Sequence, residues 1–78
     1  MQDLLKNKVQ ILLDVKEEEA PIPLQKAMQK LPLLDDSNYI KFIHRIKPML
    51  LLDYLNKNGF SYIEEKDSDE YILYIYKG

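Results

Sequence analysis

Apolar residues fall at every second position from Val9 through Ile11, Leu13 and Val15, with Gln10, Leu12 and Asp14 between them. That is the period of a strand with one buried face. Leu12 makes the other face partly apolar too, which predicts a strand inside its sheet rather than at the edge. After Glu17-Glu18-Glu19 the period changes. Leu24, Ala27, Met28 and Leu31 recur at helical spacing, and a stripe containing Leu24, Met28 and Leu31 predicts a covering helix with that face in the core. Pro21 and Pro23 are tolerated in its first turn because the opening N–H groups lack intrahelical partners. Pro32 closes it by pushing the preceding residue away from helical angles.

The turn-forming run Asp35-Asp36-Ser37-Asn38 leads into a second predicted strand at residues 39–43, with Ile40 and Phe42 on one face and Tyr39, Lys41 and Ile43 on the other. Pro48 then reads as another first-turn proline. The helix it opens runs to about Asn58, with Leu51, Leu52 and Leu55 as its stripe and Gly59 at the left-handed stop. Strands at residues 60–65 and 71–76 flank the charged turn Lys66-Asp67-Ser68-Asp69, which predicts an antiparallel hairpin. The order βαβαββ predicts an α+β fold, a two-layer α/β sandwich in which two helices cover one face of a four-stranded mixed sheet.

The uncovered face is then a candidate interaction surface. Ile72, Tyr74 and Tyr76 point one way along the last strand, and the tyrosines among them, with Tyr62, combine an apolar body with a wet hydroxyl. An exposed last strand also offers a route to a homodimer by pairing across a two-fold axis, which the charge of Lys77 opposes.

With 78 residues the chain is read as a single domain, residues 9–78, behind an arm or short helical turn at residues 1–8. The absence of cysteine removes disulfides, thiolate metal sites and cysteine nucleophiles together. A 46% apolar composition with six tyrosines favours a packed core over disorder. No apolar run approaches a membrane span, and Leu4 and Leu5 alone are too little for a signal peptide, so a cytoplasmic protein is expected. A net charge of −2 gives no global attraction to nucleic acid or an anionic membrane. Lys41, Arg45 and Lys47 form the most basic local patch. It suits a phosphate or carboxylate and is too small for a nucleic-acid platform.

The single histidine, His44, falls at the end of the second strand beside the second helix, where open α/β sheets bind ligands. Metal ligation needs partners, which Asp14 or Glu19 would supply if the first two strands are neighbours. The alternative is a ring that hydrogen-bonds the backbone and fixes its loop. The Glu17-Glu18-Glu19 run likewise reads either as a complement to the helix dipole or as a contact for a basic partner or a cation.

Ala20-Pro21-Ile22-Pro23, between the first strand and first helix, resembles the Cys-Pro-x-Pro signature of the TusA/SirA-like sulfur carriers, with Ala20 at the cysteine position. Asp14-Val15-Lys16 and His44-Arg45-Ile46-Lys47-Pro48 are similar to the Asp-Val-Arg and His-Asp-Pro-Lys-Pro motifs of the cysteine-free domain of unknown function 2249 family. Arg45 stands where that family has an acid and Ile46 where it has a proline. The resemblance implies a two-layer sandwich without the persulfide-carrying thiolate, hence no cysteine-dependent sulfur transfer. The expected function is a non-catalytic binding or adaptor module with a protein partner. Its candidate pole is Asp14, Lys16, Ala20, Pro21, His44, Lys47 and Pro48. The rival is a redox accessory protein in which His44 holds a metal or touches a haem.

Overall fold

The alternating segment forms strand β1 (Val9–Asp14) and the first helical segment α1 (Ile22–Lys30), which continues into a 3₁₀ turn (Leu31–Leu33). Strand β2 (Asn38–His44), helix α2 (Met49–Lys57) and the strands β3 (Ser61–Asp67) and β4 (Glu70–Tyr76) follow. The structure, a computed structural model, describes residues 5–77. Of the arm expected at residues 1–8, residues 1–4 lie outside the described residues.

The sheet order is β1-β2-β4-β3. β1 runs parallel to β2, and β4 pairs antiparallel with both β2 and β3. This is the expected four-stranded mixed sheet, and the two helices pack on one of its faces. Leu13 and Val15, Ile40 and Phe42, and Leu73 and Ile75 meet Ala27 and Leu31 of the first helical layer and Leu51, Leu52 and Leu55 of α2 in one buried cluster. Gly59 adopts φ +74° just past α2, the left-handed geometry that ends many helices.

Four expectations are corrected. β1 is an edge strand, and Leu12 on its far face is 57% exposed. Strand length and apolar content could not separate an edge from the interior. Met28 is 41% exposed, whereas Pro23 is buried. The helix therefore sits on the sheet through a narrower stripe of Pro23, Ala27 and Leu31, with Leu24 partly buried. Tyr62 lies opposite Ile75 on the helix-covered side, and Ile63 is the residue that faces Tyr74. The strand begins one residue later than expected, but it is the pairing register that decides the face. Finally, β4 lies inside the sheet with both edges paired, so it offers no free edge for a two-fold pairing. Smaller differences concern the prolines: Pro21 and Pro48 occupy the positions just before their helices, and Leu31, ahead of Pro32, keeps helical angles (φ −55°, ψ −40°) because Pro32 falls inside a 3₁₀ turn that ends only at Leu33.

The second face of the sheet is not bare either. Leu5 is buried with Tyr39, Ile43, Ile72 and Tyr74 in a second cluster, against which Ile63 and Tyr76 pack. The ammonium of Lys8 lies 5.7 Å from the centre of the Tyr76 ring, and that of Lys41 lies 5.9 Å from the centre of the Tyr74 ring. The tyrosine face is thus sealed at its centre by the segment ahead of β1.

Candidate functional site

Both helices begin at the same pole, where β1 and β2 end. Neither N-terminus has a side-chain cap or an acidic residue in its first turn. Between them runs an open groove of about 250 Å³. Ala20, Pro21, Pro23 and Leu24 form one wall, and Ile46 to Leu51 with His44 form the other. Ile46, Met49 and Leu50 are largely exposed, Leu50 at 72%.

The polar groups of the lining are few. His44 is buried, 8% exposed, and its ring stacks on Phe42 with centroids 6.3 Å apart. Nε2 lies 3.1 Å from the Glu18 carbonyl oxygen, which can only accept, so Nε2 carries the proton. Nδ1 accepts from the Ile46 N–H at 3.2 Å. The ring therefore ties the loop after β1 to the loop before α2 as the neutral Nε2–H tautomer, assigned from its partners. A metal bound at either nitrogen would displace one of these backbone hydrogen bonds. No group of three His, Asp or Glu suited to a metal comes together among the described residues.

Lys47 supplies the charge at the groove. Its ammonium lies 3.6 Å from a Glu64 carboxylate oxygen, with both side chains about half exposed, so the pairing is weak. Glu64 also accepts a hydrogen bond from the Tyr71 hydroxyl. Burial, reinforced by that carboxylate, holds the Tyr71 phenol above its ordinary range.

Of the seven residues expected at this pole, Ala20, Pro21, His44, Lys47 and Pro48 line the groove. Asp14 and Lys16 do not. The Lys16 ammonium reaches Glu70 at 2.8 Å and Asp14 at 3.6 Å, and its N–H donates to Asp14, a chain that fastens the end of β1 to the start of β4. Glu18 is engaged with Lys26 at 2.7 Å. Sequence reasoning missed Ile46, Met49 and Leu50. The signal was present: the apolar run Met49-Leu50-Leu51-Leu52 is wider than one helical stripe requires. On the sheet's other face, Ile72 and Tyr74 are buried and Tyr76 half-buried; they are joined by Tyr39 but not by Tyr62, whose hydroxyl donates to Asn56 at the end of α2.

No helix among the described residues is long and apolar enough to cross a membrane. Comparison with family models, curated proteins and solved structures finds no match for this chain.

Proposed function

We propose that this chain is a cysteine-free TusA-like domain that works in the cytoplasm as a binding module, taking an apolar segment of a protein partner into the groove between its two helix N-termini. The observation that supports this reading is the lining itself. Its walls are almost wholly apolar, the His44 ring nitrogens are already satisfied, and the Lys47 ammonium is the charged group at the mouth. The groove's lining holds no thiol or hydroxyl side chain, and no metal-binding set is found among the described residues. It offers desolvation for apolar side chains, and a cation with two uncapped helix ends for an adjacent carboxylate.

The test is site-specific photo-crosslinking in the cells that make the protein. A benzophenone side chain at Leu50 should give one discrete protein adduct that Ile46→Asp abolishes, while the same group at Lys57, at the far end of α2, gives none. Equal adducts from both positions, or no adduct at Leu50, would remove the groove from consideration as a partner site.

A further inference from the structure

The two edges of the sheet are unlike. β3 carries Glu64, Glu65, Lys66 and Asp67, all exposed, the charge pattern that keeps an edge from pairing. β1, Val-Gln-Ile-Leu-Leu-Asp, has no proline, no glycine and a single charge at its end. Val9 and Leu12 are 69% and 57% exposed along it. Val9 and Val15 donate their N–H groups towards the β2 side, to Ser37 and Ile43. The alternation of a strand then turns the main-chain groups of Gln10, Leu12 and Asp14 outward, to the edge that no strand among the described residues pairs with.

We propose that β1 pairs antiparallel with β1 of a second copy, about a two-fold axis normal to the sheet and centred on Ile11. The symmetry requires the outward-turned residues to meet each other, which they do in this register: Gln10 faces Leu12 of the other copy, and each such pair exchanges main-chain hydrogen bonds. Ile11 meets its own equivalent, and Val9 meets Leu13. Lys8, in the bend just ahead of β1, then comes beside Asp14 of the other copy at both ends, an attraction formed twice that adds to the contacts these side chains already make with Tyr76 and Lys16. Shifting the centre to Leu12 would instead bring Lys8 towards Lys16, whose ammonium is already held by Glu70 and Asp14, and would forfeit that attraction. Charge complementarity thus selects both the occupant, another β1, and its register. The two sheets become one continuous sheet with all helices on the same side. No residue of β1 lines the groove, so this pairing and the partner site stand or fall independently.

Sedimentation across a concentration series up to the solubility limit tests the pairing, with circular dichroism confirming that each variant is folded. The unaltered chain should approach twice the monomer mass, and Leu12→Lys should return it to the monomer. Lys8→Asp and Asp14→Lys should each weaken self-association alone, and mixing the two variants should restore a dimer. In the unaltered chain the amides of Gln10, Leu12 and Asp14 should be protected from hydrogen exchange and lose that protection on dilution. A monomer at every concentration overturns the proposal. So does a dimer that Leu12→Lys leaves intact, or one whose outward amides exchange freely.

Discussion

At the scale of single residues, His44 is held by what its two neighbours can offer: a carbonyl that only accepts and an N–H that only donates. Long-range nitrogen–proton spectra should therefore show the Nε2–H tautomer alone, and added zinc should leave the ring signals in place. His44→Ala would leave the Glu18 carbonyl and the Ile46 N–H without their partner and remove a ring stacked on Phe42. A loss of about 2–3 kcal/mol in urea unfolding is expected.

The tyrosines make a second residue-scale prediction. Burial, with the Glu65 carboxylate accepting its hydroxyl at 2.9 Å, pushes the Tyr74 phenol up from 10.0 to about 12. The folded state then holds this proton more tightly than the unfolded chain. Its contribution is complete below pH 10 and is lost as the pH rises from 10 through about 12. Phenolate absorbance from Tyr71 and Tyr74 should accordingly appear only well above pH 10, and unfolding in urea should become easier over the same interval.

Among elements, α1 rests on the sheet through Ala27 and Leu31 and turns Met28 outward. Met28→Ala should change stability by less than about 1 kcal/mol, since little packed surface is lost. Leu55→Ala, in the fully buried stripe of α2, should cost about 2–5 kcal/mol. The comparison by thermal or urea unfolding separates the two directly. Helical spacing revealed that each helix has an apolar stripe, but not how wide a strip of α1 the sheet would accept. Ile40 and Phe42 were legible as one face of β2 because polar turns bracket the strand. The place of β1 was not: edge or interior depends on where β4 inserts, a long-range pairing with no local mark. The pole of the site was legible at Ala20, Pro21, His44, Lys47 and Pro48, because topology alone brings the two helix starts together. That Asp14 and Lys16 stand outside the groove was not legible, because Glu70, which draws the Lys16 ammonium away, is distant in the chain.

For the molecule as a whole, two layers of helix and sheet are completed by a third, local cover. Leu5 is almost wholly buried on the face away from the helices. Leu5→Ala should cost about 2–5 kcal/mol and raise the binding of a hydrophobic dye, because it opens the cluster around Tyr39 and Ile72. Leu50→Asp should do neither, since that side chain stands largely in solvent on the groove's wall and packs in neither core cluster.

The sheet order also says something about time. β4 is the last strand of the chain and sits between β2 and β3. A ribosome releases the chain from its N-terminus, so β2 emerges with no strand yet available for its second edge, and Leu5 emerges before half of its binding site exists. Neither the sheet nor its cover can close until β4 has left the exit tunnel. Over that interval the nascent chain presents an unpaired strand edge and the uncovered Leu5 side chain, the kind of surface that chaperones waiting at the tunnel mouth bind.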